Sequence, residues 1–343
     1  MKIAVIGAGA IGGTIAALLD AAGHSIQVTA RGDQLAAINA DGLRLSGAFG
    51  SHTALIEAVE LLSRAPELVF VTTKAQDAEA AIRTNLPQLD GVPIVVVQNG
   101  LDSLEGARRA APHSAIVGGL AIYAASYLSP GTVTVTTAGN TWLGGHSAAA
   151  AGAAEVLAAV MPVTITRNFE GAQWTKLIVN HVNALPAITG LSVQEVISDR
   201  GLRLVMTKSM SEAVRVARAS GVTFDSLQGL SNTSITAMLR APAVIGQLLP
   251  LLMKRRMGAM PNPGSTLQSI RRGQPTEIDY LNGAIVRRGH ALAVATPVST
   301  QLVAMVHEVE RSTVFLSPAV VVRRATEARC NSAGIREDPA RMI

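Results

Sequence analysis

The chain has 343 residues, 48% of them hydrophobic and 15% charged, enough to bury the cores of two domains. Its formal charge of +5 is dispersed along the chain and only 3% of residues are aromatic, which argues against a nucleic-acid surface, where clustered cations and stacking rings are needed, and suits an anionic cofactor and an acid substrate. One cysteine, Cys330, excludes an internal disulfide and fits a reducing compartment.

Lys2 to Gly13 read KIAVIGAGAIGG, an apolar strand running into Gly7-Ala8-Gly9-Ala10-Ile11-Gly12. The pattern predicts a dinucleotide site: Gly7 makes the tight turn, Gly9 lets the backbone approach a pyrophosphate, and Gly12 lets the following helix, Thr14 to Ala22, sit close to the strand. The free N–H groups at that helix start, with Ala10 and Ile11 in the turn, face the phosphates. The second strand, Ser25 to Ala30, ends at Arg31 where an NAD site carries a carboxylate, so NADP, with its 2'-phosphate, is the expected nucleotide. Asp33 is expected to cap a helix beginning near Gln34.

Strands at Leu68–Thr72 and Ile94–Val97 alternate with helices at Gln76–Asn85 and Ser103–Ala110, the signature of a parallel sheet covered on both faces. Ligands lie beyond the C-terminal strand ends, which singles out Lys74 and Asn99. From Ile116 to Gly144 short β-rich segments surround the turn Ser129-Pro130-Gly131 and are expected to extend the sheet in mixed orientation. After Phe169 helical periods take over, notably Trp174 to Ile188, Arg203 to Ser220 and Glu277 to Ala293. The expected organisation is therefore α/β: a Rossmann-type domain over residues 1–168, a helical domain over 169–327 and a disordered tail over 328–343.

Within the helical half, Lys176, Asn180 and Asn183 fall at i, i+4 and i+7, one face of a predicted helix whose other positions are apolar. A buried lysine there is desolvated, which lowers its pKa and fits it for proton transfer; a polar stripe at an interface is the plainer alternative. Glu277 is predicted in the first turn of a helix, complementing its dipole. No metal is expected, because the seven histidines form no ligand pair with carboxylates or the cysteine at recognisable spacing. No secretory leader is visible, and the most lipid-like stretch, Ala243 to Met253, contains Gln247 and Pro250 and is too short to span a bilayer. A soluble cytoplasmic protein is expected, with its oligomeric state, a homodimer included, left open.

The N-terminal GAGAIGG, KAQD after the strand at Leu68, QNG after the strand at Ile94, the SPGTV turn, WTKLIVN and PTEIDYLNG, in that order from Met1 to about Glu310, together resemble the ketopantoate reductase family. The resemblance implies a Rossmann domain joined to a helical domain, NADPH as hydride donor, and reduction of a 2-oxo acid in an interdomain cleft. It implies Lys176 as catalytic lysine, Glu277 as the glutamate that binds substrate, and Asn99 and Asn180 as the asparagines that orient the carbonyl. Ser265 matches the family serine that helps hold the substrate carboxylate, and Arg31 and Lys74 match the cations around the 2'-phosphate.

Departures fall on the substrate side. Asn183 lies one residue earlier, relative to the lysine, than the family's second helix asparagine. Ser269 stands where an aspartate is common, Ala293 and Ser299 replace a glycine and an asparagine, and the segment between Lys176 and Ser265 is longer than in compact members, the extra length including the apolar Leu248 to Met253. The alternatives are a related reductase of another 2-oxo acid or an imine, and a non-catalytic NADP(H) sensor; retention of Lys176 and Glu277 argues against the sensor.

Overall fold

The computed structural model describes residues 1–227, 229–240, 246–257 and 261–334. The chain forms two compact units, Met1–Phe169 and Glu170–Ile343.

The strands of the first unit are β1 (Lys2–Ile6), β2 (Ser25–Thr29), β3 (Leu43–Gly47), β4 (His52–Ala54), β5 (Glu57–Val59), β6 (Leu68–Val71), β7 (Ile94–Val97), β8 (Ile116–Ala121), β9 (Ala124–Ser129), β10 (Thr132–Thr137), β11 (Thr141–Gly144) and β12 (Val163–Thr166). Its helices are α1 (Ala10–Ala21), α2 (Gly32–Asp41), α3 (Ala78–Leu89), α4 (Ser103–Ala110) and α5 (Ala148–Ala158). The main sheet runs β12-β11-β8-β7-β6-β1-β2-β5, parallel from β5 to β8, with β11 antiparallel to β8. That order reverses direction between β1 and β6, the switch point at which ligands of doubly wound sheets bind.

The central strands are apolar without a break because both faces are covered. Ile3, Val5, Phe70, Val95 and Val97 join one core with α1 and α5, while Ala4, Ile6, Val69, Val71, Ile94 and Val96 join another with α3 and α4. Fully burying one such aliphatic side chain stabilises the fold by about 1.5 to 3 kcal/mol.

The expectation that the segments from Ile116 to Gly144 extend the main sheet in mixed orientation holds for β8 and β11. Strands β9 and β10 instead build a second sheet, β4-β3-β10-β9, in which β10 runs parallel to β3. Its inner residues Leu43, Leu45, Val133 and Val135 are buried in the same core as α1. A Cβ on Gly13 would lie 2.8 Å from Val133 Cγ1, so this helix accepts a second sheet on its outer side only because a glycine stands there.

The second unit comprises α6 (Phe169–Asn180), α7 (Ala184–Thr189), α8 (Val193–Ser198), α9 (Arg200–Ala219), α10 (Asn232–Arg240), α11 (Leu248–Met257), α12 (Gly264–Arg271), α13 (Asn282–Ala291), α14 (Pro297–Ser312) and α15 (Pro318–Gly334). The 20-residue α9 buries Leu202, Val205, Met206, Met210, Ala213 and Ala217 at helical spacing and packs against α8, α10, α13, α14 and α15. Its one buried carboxylate, Glu212, accepts N–H bonds from Val298 at 2.9 Å and Ser299 at 2.8 Å, satisfying the start of α14. Ser299, the departure from the family's asparagine, also meets Ser209 at 3.2 Å, so the smaller side chain joins a buried network instead of leaving a void. Ala293, where the family has glycine, carries φ 54°, a left-handed conformation that glycine adopts at lower cost.

Three sequence expectations change here. Residues 328–334 of the expected disordered tail are the last part of α15; residues 335–343 lie outside the described residues, as does the 243–245 part of the lipid-like stretch. The predicted helix Trp174 to Ile188 is two helices, α6 and α7, separated by a 3-10 turn at His181–Asn183. The predicted helix from Glu277 is likewise divided, a 3-10 turn at Ile278–Tyr280 preceding α13. No helix among the described residues is long and apolar enough to cross a membrane.

Candidate active site

In the first unit the glycine motif closes as an interlocking turn. Gly7 has φ 103° and its missing Cβ would meet Thr73 N at 2.8 Å; its N–H donates to Thr29 Oγ1 at 3.0 Å. A Cβ on Gly12 would stand 2.1 Å from Gly7 O and 2.2 Å from Thr72 Oγ1, so only glycine brings α1 this close to the strand ends. Thr72 Oγ1 donates to Gly7 O at 2.7 Å, and Gln34 spans from Ala8 O (2.7 Å) to Gly131 N–H (2.7 Å), tying the loop to the second sheet. Sequence reading missed these braces, because each acts between segments far apart in the chain.

Gly9 behaves differently. A Cβ there would meet nothing within 4 Å. The helix begins at Ala10, four residues before the predicted start, with no side chain capping it. The backbone N–H groups of Ala10, Ile11 and Gly12 therefore point with the helix dipole into space that Gly9 leaves clear, which fits a pyrophosphate. Arg31 is exposed and is itself the residue before the first turn of α2; Asp33 lies inside that turn and makes no capping bond, so the predicted cap is absent. Lys74 precedes a 3-10 turn at Ala75–Asp77, and Gln98 Nε2 donates to Thr73 O (2.7 Å) and Lys74 O (3.3 Å), linking the ends of β6 and β7. Asn99 follows, partly buried. The first unit thus gathers the glycine turn, Lys74 and Asn99 at the C-terminal ends of the parallel strands.

In the second unit Lys176 and Asn180 occupy successive turns of α6, near fully buried Trp174, whose ring lies 5.6 Å from the Arg288 guanidinium. Burial strips water from the Lys176 ammonium and lowers its pKa from 10.5 to about 8, while the Glu277 carboxylate acts in the opposite sense by favouring the charge. Lys176 and Glu277, a hundred residues apart, are therefore electrostatic partners. Glu277 is not in an α-helical first turn as predicted; it precedes the 3-10 turn and its carbonyl accepts the N–H groups of Tyr280 (2.9 Å) and Leu281 (3.1 Å).

A 3-10 turn at His181–Asn183 follows α6, and it sets Asn183 against α12. Asn183 Oδ1 would be 2.5 Å from a Cβ on Gly264, which has φ 71°, so glycine is required there on both counts. That contact sets Asn183 beside the start of α12, whose second residue, Ser265, is exposed, while Ser269 one turn later is buried. His181, in the turn between, is fully buried; desolvation lowers its pKa to about 4 and keeps it neutral. Among the described residues no cluster of His, Cys, Asp and Glu has the makings of a metal site.

A Rossmann-type sheet with an open glycine turn, together with a helical unit in which a desolvated lysine lies within the field of a carboxylate, defines a dinucleotide-dependent oxidoreductase. The family model described as ketopantoate reductase PanE/ApbA matches residues 3–148, and the model for the C-terminal part of the same family matches residues 168–310. The chain is 28% identical to the 2-dehydropantoate 2-reductase of Archaeoglobus fulgidus over 318 residues, covering 90% of this chain and 98% of that one. A crystal structure of a PanE/ApbA family ketopantoate reductase from Ralstonia eutropha JMP134 is 30% identical, with a TM-score of 0.77 over 91% of this chain and 99% of that one. A D-mandelate dehydrogenase solved with NADH and anilino(oxo)acetate, 22% identical, shares the fold with a TM-score of 0.79 over 91% of this chain and 99% of its own. The chain belongs to the ketopantoate reductase family, and it is a nicotinamide-dependent oxidoreductase.

Proposed function

We propose that this enzyme reduces ketopantoate (2-dehydropantoate) to pantoate with NADPH, the step that serves pantothenate and coenzyme A formation. The observation that carries the proposal is the desolvated Lys176 ammonium facing Glu277. When bound, the nicotinamide supplies a hydride to the ketone carbon. Lys176 donates its proton to the carbonyl oxygen as negative charge develops there, completing the 2-hydroxy acid, and regains a proton from solvent; a pKa of about 8 keeps it mostly protonated at neutral pH yet willing to release. Asn180, one turn along α6, and Asn99 orient the carbonyl. Asn180, Asn183 and Ser265 are assigned to the substrate carboxylate, and Glu277 to the hydroxyl that ketopantoate carries beyond its ketone. For the cofactor, Gly7, Gly9, Ala10, Ile11 and Gly12 receive the pyrophosphate, with Asn99 alongside, and Arg31 and Lys74 the 2'-phosphate, which favours NADPH over NADH.

The test is NADPH oxidation at limiting concentration of each of a panel of 2-oxo acids. Ketopantoate is expected to turn over much faster than 2-oxoisovalerate, which lacks the hydroxyl and leaves Glu277 unpaired. Glu277→Gln narrows that ratio by weakening the better substrate. If an unhydroxylated acid is the better substrate of the unmodified enzyme, the chemistry stands and ketopantoate as substrate does not.

A further inference from the structure

Glu277 stands on a short irregular segment, yet that segment is tied to α14 on both sides of it, Thr276 to Glu310 and Asp279 to His307. Glu310 Oε1 accepts the Thr276 N–H at 2.8 Å. The second carboxylate oxygen of Glu310 is 2.7 Å from His307 Nδ1, and His307 Nε2 is 3.0 Å from Asp279 Oδ1. Three side chains, Glu310, His307 and Asp279, therefore span Glu277 from the residue before it to the second residue after it. Arg287 adds a bond from Nη1 to the Asp279 carbonyl at 2.8 Å, and Ile278, 1% exposed, pins the middle of the segment in the core.

An imidazole donates at both nitrogens only as the imidazolium. Burial alone would lower the His307 pKa, but the bonds to Glu310 and Asp279 outweigh it and raise the value above the ordinary histidine range. Burial likewise pushes Glu310 up and is overcome by the Thr276 and His307 hydrogen bonds, which hold it low. Each shift favours the ionised form of its group, and charge-assisted bonds are about twice as strong as neutral ones.

We infer that His307 and Glu310 are positioning residues that clamp the Glu277 segment, setting where its carboxylate stands relative to Lys176 and so setting affinity for the 2-oxo acid without touching it. The inference rests on Glu277 as the group that binds the substrate hydroxyl. A clamp of this kind raises the fraction of molecules whose Glu277 is already in place, and apparent substrate affinity scales with that fraction.

The experiment compares His307→Gln, Glu310→Gln and Asp279→Ala with the unmodified enzyme, using ketopantoate and NADPH, each alone and in a Glu277→Gln background. If the clamp acts as inferred, each single variant raises KM for ketopantoate about five- to tenfold, as when the competent position is held about a fifth to a tenth of the time. KM for NADPH and kcat stay within about twofold. Added to Glu277→Gln, the same changes have no further effect on the ketopantoate KM, because there is no longer a carboxylate to place. Unchanged ketopantoate KM in the single variants, or effects that add to that of Glu277→Gln, overturn the inference. Failure of Glu277→Gln itself to raise KM would instead overturn the reading of Glu277, so the two are told apart. Asp279 is largely exposed, so its variant carries the test if a change at His307 or Glu310 prevents folding.

Discussion

Replacing Lys176 by Met should make the protein more stable and nearly inactive. Holding the ammonium in its site lowers its pKa from 10.5 to about 8, and at about 1.4 kcal/mol per pH unit this corresponds to a penalty of about 3 kcal/mol. The folded pKa lies below the unfolded one, so the unfolded chain binds more protons between the two. Below about pH 8 the lysine is charged in both states and the whole penalty is present; as pH rises from about 8 towards 10.5 the folded protein sheds the proton first and the penalty disappears. Methionine fills the volume without a charge. Lys176→Met should therefore gain up to about 3 kcal/mol at pH 7, a figure already net of the attraction to Glu277, and the gain should shrink as pH rises past 8. Urea denaturation of both proteins at pH 7, 8, 9 and 10 measures this directly. In parallel, turnover of the variant should fall by about 10²- to 10⁴-fold, the range for a lost general acid. For the unmodified enzyme kcat/KM, which reports the free enzyme, should fall about tenfold from pH 7 to pH 9. A variant no more stable than its parent at pH 7, or a stability difference that ignores pH, would refute the argument that this lysine is held charged at a cost.

Arg31→Ala should raise KM for NADPH by about ten- to a hundredfold, the loss of one charge-assisted phosphate contact, and leave KM for NADH almost unchanged; equal use of both cofactors by the parent enzyme would remove the basis for this. The two motif glycines should separate fold from binding. Gly12→Ala drives a Cβ into Gly7 O and Thr72 Oγ1 and should lower stability by about 1 to 3 kcal/mol in a thermal melt. Gly9→Ala, whose Cβ meets nothing, should melt within about 1 kcal/mol of the parent while weakening NADPH binding in a fluorescence titration. Unimpaired binding by Gly9→Ala would mean that the space it leaves clear does not take the pyrophosphate.

The features legible in the sequence are those that depend on neighbours in the chain. The glycine turn announces itself because backbone conformation and close approach are local demands that only one residue type meets, and the parallel sheet because strands buried on both faces must be apolar throughout. Lys176 and Asn180 could be put on one helix face for the same reason. The second sheet could not be foreseen: β9 and β10 carry the same alternation whichever strand they pair with, and the pairing of β10 with β3 depends on a glycine in α1 that opens a surface for Val133.

Tertiary structure alone decided how the substrate side is arranged. Asn183 meets the start of α12, where Gly264 leaves room for it, a contact between segments about eighty residues apart. The segment that carries Glu277 opens a 3-10 turn and not the α-helix to which its sequence context pointed, and its neighbours Thr276 and Asp279 meet Glu310 and His307, some thirty residues further on. The lowered pKa of Lys176 likewise belongs to its surroundings, since desolvation and a carboxylate a hundred residues away set it. Residue types along a chain determine which groups can form a turn, a strand or a proton donor; which charges meet, and how much water each one keeps, is determined only when distant segments pack.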